Sequence, residues 1–147
     1  MCEVVDRVRA ALNRDLQRGA GLTLAENLLL CQVAMAPGQR LRMADIAGLL
    51  AIGPSAVTKT ADRLEKRGLI TRDRGPADRR TVYAALTIKG ESAFAAARPA
   101  FLAAVQRHFA GQLTESQVRQ LQHLSQRVLQ PAPPAAADQG TATKTAR

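Results

Sequence analysis

The segment from Arg42 to Thr87 carries the pattern that most narrows the fold. Met43, Ile46, Ala47 and Leu50 share one face of a short helix over residues 42–50. Val57, Ala61 and Leu64 share one face of a second helix that starts with Pro54 at its first position, where a missing N–H costs nothing. Only Ala51-Ile52-Gly53 lies between them, and Gly68 supplies a left-handed cap at the end of the second helix. Two extended runs, Leu69 to Asp73 and Thr81 to Thr87, flank the turn-rich stretch Arg74-Gly75-Pro76-Ala77-Asp78-Arg79-Arg80, which reads as a β-hairpin with a long tip. Two short helices, a tight turn and a basic hairpin make a winged helix-turn-helix. The expected fold class is mainly α with a small β-hairpin wing.

Helices flank this module. Val5, Val8, Leu12 and Leu16 fall on one face of a first helix that ends at Gly19-Ala20-Gly21. Thr23 and Glu26 have capping-box spacing, and the helix behind them is expected to bury Leu24, Leu28, Cys31 and Met35 before Pro37-Gly38 stops it. Thr87 caps a helix running to about Phe109, with Phe94, Phe101, Val105 and Phe109 among its apolar positions. Thr114 and Gln117 open another, which carries Val118, Leu121, Leu124 and Val128. That last apolar stripe has no partner inside so small a domain. Beyond Gln130 the chain turns Pro-, Ala- and Thr-rich without apolar periodicity, so residues 131–147 are expected to be a disordered tail.

Charge narrows the partner. The 147-residue chain has a formal net charge of +9, which calls for a polyanion, either nucleic acid or an anionic membrane surface. Residues 39–89 alone hold eleven Lys and Arg against five Asp and Glu, a local charge of +6. Aromatic residues are 3% of the chain, and the basic third has little aromatic company beyond Tyr83. Single-strand and RNA binders offer stacking platforms, so double-stranded DNA fits better. A recognition helix must show slender polar side chains at its N-terminal end, where it meets base edges in the major groove. Ser55, Thr58 and Lys59 suit that, with Arg63 one turn further along. Arg79 and Arg80 at the hairpin tip suit the narrow minor groove, where the negative potential is strongest. The candidate DNA-contacting set is Arg42, Ser55, Thr58, Lys59, Arg63, Arg72, Arg74, Asp78, Arg79 and Arg80.

Other chemistries find little support. Cys2 and Cys31 have no metal or redox spacing, and Cys31 reads as a small core residue. His108 and His123 lie on different helices without a ligand cluster, so no metal and no cofactor are expected. Paired carboxylates, a nucleophile–base pair and a phosphate-cradling glycine loop are all missing, so an enzyme is not expected. There is no signal peptide and no run approaching the roughly 20 apolar residues of a membrane span, so the expected setting is the cytoplasm, with no membrane partner.

The run from Leu22 to Glu91 resembles the MarR family of bacterial regulators. The resemblance rests on LTLAENLLL, on MADIAGLLAIGPSAVTKTADRLEKRGLITRD and on GPADRRTVYAALTIKGE. Within these stand Asp62-Arg63-Leu64-Glu65 with Gly68-Leu69, Asp78-Arg79-Arg80 in the wing, and Leu86-Thr87 with Gly90. The resemblance implies that Arg80 enters the minor groove with Asp78 bracing it, and that Ser55, Thr58, Lys59 and Arg63 face the major groove or its phosphates. It also implies a homodimer, with residues 1–22 as an N-terminal dimerisation helix, 23–90 as the DNA-binding domain and 91–130 as C-terminal dimerisation helices. A small-molecule effector would bind between the dimer helices and the reading lobe, with Met35, Arg9 and Arg14 as candidate lining. Many relatives have Gly where Ala51 stands and Ser where Gly53 stands. An Ala in left-handed conformation costs roughly 1 kcal/mol, so a differently shaped turn is expected here. The expected function is sequence-specific regulation of transcription, as a homodimeric repressor released by an effector and bound to a pseudo-palindromic operator. The competing reading is a structural protein that coats DNA without reading its sequence.

Overall fold

The computed structural model describes residues 2–75 and 80–129, which form two compact units divided between Gln112 and Leu113. Asp78 and Arg79 of the wing tip and the tail at 131–147 lie outside the described residues. In the first unit the order is α1 (Cys2–Ala20), α2 (Leu24–Met35), β1 (Arg40–Arg42), α3 (Met43–Leu50), α4 (Pro54–Lys66), β2 (Ile70–Arg74), β3 (Val82–Leu86) and α5 (Ile88–His108). The second unit holds α6 (Glu115–Leu129).

The first unit is built around one apolar core. Leu22, Leu29, Leu30, Val33, Ile46, Val57, Ala61, Leu64, Leu69, Ile70, Ala84 and Ala97 are all buried in it. The spacing of Val57, Ala61 and Leu64 sends one face of α4 inward, and Thr60 goes with them. On α2 the structure corrects the expected face. Leu24 is buried, but Leu28 and Cys31 are half-buried and Met35 is 80% exposed. Leu29, Leu30 and Val33 take the core instead. The helix is apolar around most of its circumference, so periodicity alone does not say which stripe faces inward. Similarly, α1 buries Leu16 and Ala11 while Val5 stays half exposed at 51%.

Local chemistry places the element ends as the sequence implies. Thr23 and Glu26 form a complete capping box at the start of α2. Gly38, inside the 3₁₀ turn over Pro37–Gln39 that follows α2, has φ +64. Thr114 and Gln117 reciprocate at the start of α6, with Thr114 N donating to Gln117 Oε1 at 2.8 Å and Gln117 N to Thr114 Oγ1 at 3.3 Å. The turn between α3 and α4 does not adopt a different shape. Ala51 takes the left-handed conformation at φ 50, ψ 41, and its N–H caps the end of α3. The strain expected of a non-glycine residue there is therefore present.

The sheet has one strand more than a hairpin. Its order is β1-β3-β2, antiparallel throughout, with Leu41 opposite Ala84 and Arg72 also opposite Ala84 on the other side. A three-residue strand leaves too short a pattern to be read as one in sequence. At the base of the wing, Thr87 ties two junctions together. Its hydroxyl lies 2.7 Å from Gly68 O and 3.1 Å from Leu69 O as donor, and accepts from Gly90 N at 2.9 Å. Gly90 is required by contact, since a Cβ there would sit 1.8 Å from Leu69 O. The Leu86-Thr87…Gly90 motif thus joins the start of α5 to the end of α4. Toward the other end of α5, Asp15 of α1 accepts from Arg107 at 2.6 Å and pairs with His108 Nε2 at 2.9 Å.

Candidate nucleic-acid interface

The exposed side of α4 begins at Gly53, an N-cap with no side-chain hydrogen bond, followed by Pro54. Ser55, Thr58 and Lys59 are all exposed there. Thr58 Oγ1 donates to Pro54 O at 3.0 Å, which holds its rotamer. Lys59 makes no ion pair among the described residues. The N-terminal half of α4 therefore offers two hydroxyls and one ammonium to a partner.

Further along α4 the basic residues are engaged. Arg63 Nε donates to Glu26 Oε1 at 3.0 Å, and Arg67 Nη1 reaches Glu26 Oε2 at 3.5 Å. Arg72 of β2 is held more tightly, with Nη2 at 2.6 Å from Glu65 Oε2 and 2.7 Å from Asp62 Oδ1, and its backbone N–H donating to Glu65 Oε1 at 3.1 Å. The hydrogen bond from Arg72 holds the Glu65 carboxyl below its ordinary range, against the opposing effect of burial. The Arg72 guanidinium is raised in turn, first by its bond to Glu65. These contacts rivet β2 to α4.

The wing base is stiffened by an arginine–tyrosine stack. Arg40 Cζ lies 3.9 Å above the Tyr83 ring centroid and its Nη2 reaches Asp73 Oδ1 at 2.7 Å. Arg42 Nε donates to the Tyr83 hydroxyl at 3.1 Å. Such stacking fixes arginines that would otherwise sample many rotamers. Arg42 and Arg80 come together on a cleft of about 380 Å³ between the start of α3 and β3, with Asp45 on its wall. Arg74 is exposed at the end of β2.

Of the ten candidate residues, then, Ser55, Thr58 and Lys59 share the open stretch of α4, Arg42 and Arg80 share the cleft, and Arg74 stands at the wing strand's end. Arg63 and Arg72 are engaged by carboxylates, while Asp78 and Arg79 lie outside the described residues. Sequence reasoning missed Glu26, Arg67 and Arg40 as parts of this assembly. Three residues of β1 were too few to mark Arg40 as part of a strand, and nothing local marked Glu26 as more than a capping residue.

A second feature lies between α2 and α5. Leu28, Cys31, Met35, Phe94, Phe101 and Leu102 line an apolar groove of about 230 Å³, with Arg98 and Asn27 completing it. Asn27 is 2% exposed, and among the described residues its Oδ1 has no hydrogen-bond partner. Met35 belongs to this groove, whereas Arg14 lines a separate cleft with Arg7 and His108. Among the described residues there is no cluster of three or more His, Cys, Asp or Glu able to hold a metal, and no helix long and apolar enough to cross a membrane.

Residues 22–82 match the model of the MarR family. The HTH-type transcriptional repressor MdtR of Bacillus subtilis is 36% identical over 95 residues, which cover 63% of this chain and 59% of that protein. The alignment thus spans about three fifths of that relative's length. The crystal structure of Sco3205, a MarR family transcriptional regulator from Streptomyces coelicolor in complex with DNA, superposes with a TM-score of 0.80 at 32% identity, covering 89% of this chain and 84% of that one. CouR from Rhodococcus jostii RHA1, bound to p-coumaroyl-CoA, gives a TM-score of 0.73 at 27% identity, with 90% of each chain covered.

Proposed function

The chain belongs to the MarR family of DNA-binding transcriptional regulators, and from that premise we propose that it is a sequence-specific repressor. In this reading it acts in a bacterial cytoplasm as a homodimer on a pseudo-palindromic operator and is released by a small-molecule effector. The observation that carries the proposal is the open stretch of α4, where Ser55, Thr58 and Lys59 are exposed on a helix whose opposite face is buried. Hydroxyls and an ammonium at the N-terminal end of a helix match the donors and acceptors of the major groove. Arg42, Arg74 and Arg80, with Arg79, would contact the flanking backbone and minor groove, and Asp78 would brace Arg80. Arg63 and Arg72, committed to carboxylates within the fold, enter the proposal as braces of α4 and the wing.

Dimerisation would use residues 1–22 and 91–130, leaving 23–90 to read DNA. Leu121, Leu124, Val128 and Leu129 are exposed on α6, and apolar side chains in a row on an amphipathic helix call for a partner surface. The effector would occupy the groove between α2 and α5, whose apolar walls and unpartnered Asn27 oxygen suit a mainly apolar molecule with one hydrogen-bond donor. That a relative is bound to p-coumaroyl-CoA supports control by a small molecule.

Selection from a random-sequence duplex library tests the proposal. Enrichment of a two-fold-related sequence, with half-sites about one helical turn apart, is the expected result. Even recovery across the library contradicts it and favours the sequence-independent DNA-coating reading.

A further inference from the structure

Glu26 is only 4% exposed, yet its carboxylate has three protein donors around it. Oε2 accepts the Thr23 N–H at 2.8 Å, closing the α2 capping box. Oε1 accepts Arg63 Nε at 3.0 Å, and Arg67 Nη1 lies 3.5 Å from Oε2. The Glu26 N–H meanwhile donates to Thr23 Oγ1 at 3.2 Å, so the backbone at this position is fixed as well. A capping carboxylate in a solvated first turn needs none of the arginine contacts. This one is buried against another helix and gripped there by two cations one turn apart on α4. Arg63 is tied in further, its Nη2 donating to the buried Thr60 Oγ1 at 3.3 Å. Thr60 Oγ1 itself donates to Ala56 O at 2.9 Å, one turn nearer the open end of α4.

We propose that Glu26 is a positioning residue for DNA reading: through Arg63 and Arg67 it fixes the pose in which α4 presents Ser55, Thr58 and Lys59. The inference rests on α4 being the DNA-reading helix. At its N-terminus α4 is held by a three-residue turn whose Ala51 is strained. Toward its C-terminus the Glu26 clamp is the charged attachment to α2. A buried carboxylate is stable only with its partners in place, so the clamp has one favoured geometry and resists rotation of α4. Burial raises the Glu26 pKa, but the Thr23 N–H and the Arg63 guanidinium more than offset this, and the group stays ionised at neutral pH. Arg63 and Arg67 then act on DNA recognition through orientation rather than by contact.

The test uses the full chain, a duplex selected by the unaltered protein and a random duplex of equal length, at one salt concentration. Glu26→Gln keeps an acceptor for the Thr23 N–H and removes the charge that grips the arginines. The expected result is that affinity for the selected duplex relative to random falls about tenfold, with random-duplex affinity kept or slightly raised by the gain in net charge. Loss of stability alone would lower both affinities together. Arg63→Gln is expected to give the same loss without changing the salt slope, and the double variant to be no worse than either single one. An unchanged ratio in Glu26→Gln overturns the inference. So does additivity in the double variant, or a salt slope reduced by about 1 in Arg63→Gln, the mark of a direct phosphate contact. Where Glu26→Gln does not fold, Arg63→Gln decides by ratio and slope, since its side chain is half exposed. Failure of the unaltered protein to select any sequence overturns the regulator reading itself, and is seen before any variant is made.

Discussion

Replacing Gly90 with Ala sets two opposed effects against each other, and the structure says which wins. Gly90 lies in the first turn of α5, and in an exposed helix Gly→Ala stabilises by about 1 kcal/mol. Here the new Cβ would meet Leu69 O at 1.8 Å, the Leu69 carbonyl carbon at 2.8 Å and Leu86 Cδ2 at 2.9 Å. The first of these is about half the ~3.5 Å at which nonbonded heavy atoms rest. Two of the three obstacles are backbone and cannot rotate away. The start of α5 must therefore lift from β2. Lifting disrupts the Thr87 hydroxyl's contacts with Gly68 O and Leu69 O and the Gly90 N–H bond to Thr87. Overpacking of this kind costs about 1–3 kcal/mol, and loosened hydrogen bonds add about 1 kcal/mol each. With one bond from the shared Thr87 hydroxyl and one from the Gly90 N–H, the net loss is about 2–4 kcal/mol once the helix gain is subtracted. Urea unfolding of both chains at equal protein concentration measures it, because a dimer's stability depends on concentration. A variant as stable as the parent, or more so, would falsify the contact argument for the Leu86-Thr87…Gly90 motif.

Three further outcomes are expected. Leu30→Ala, at a fully buried position, lowers unfolding free energy by about 2–5 kcal/mol; Met35→Ala, on the same helix but 80% exposed, changes it by less than about 0.5 kcal/mol, and a reversed order in urea melts would show α2 rotated. Stability falls in acid: the Glu26 and Glu65 carboxyls are held below their usual 4.5, so their contribution is complete above that value and disappears as pH falls through the lower folded values. Unfolding free energies followed down to about pH 3 check this, and Glu26→Gln is expected to flatten the profile while an unaltered slope would count against the clamp. Arg80→Ala weakens duplex binding and reduces the salt slope by about 1; fluorescence anisotropy at several salt concentrations reads both, and an unchanged slope removes Arg80 from the contact set.

Much of the module was legible because its signals are local. Pro54, Gly68, Thr87 and the Thr23/Glu26 pair mark ends of elements by chemistry that acts within a few residues. The inward face of α4 was legible too, since Val57, Ala61 and Leu64 stand against a polar opposite face. On α2, by contrast, apolar residues surround the helix, and the choice of Leu29, Leu30 and Val33 over Leu28, Cys31 and Met35 depends on where α4 and α5 pack. The third strand escaped for a related reason: three residues of β1 acquire meaning only when Leu41 meets Ala84 across the sheet. The ion pairs were hidden most deeply. Glu26 lies 37 residues from Arg63 in sequence, and no spacing rule reaches that far. Consequently the residue types for DNA binding could be gathered from the sequence, but the division of Arg63 and Arg72, held by Glu26, Asp62 and Glu65, from the exposed Ser55, Thr58 and Lys59 required the fold.

The account centres on α4 as a helix that reads bases, and the affinity ratio tests that most directly. The dissociation constant of the full chain for its selected duplex is compared with that for a random duplex at one fixed salt concentration, before and after Lys59→Ala. A reading helix predicts a ratio of at least about 10³ for the unaltered chain, reduced by about tenfold or more in Lys59→Ala as a groove contact is lost. Equal affinity for both duplexes, or a ratio that survives Lys59→Ala intact, contradicts it.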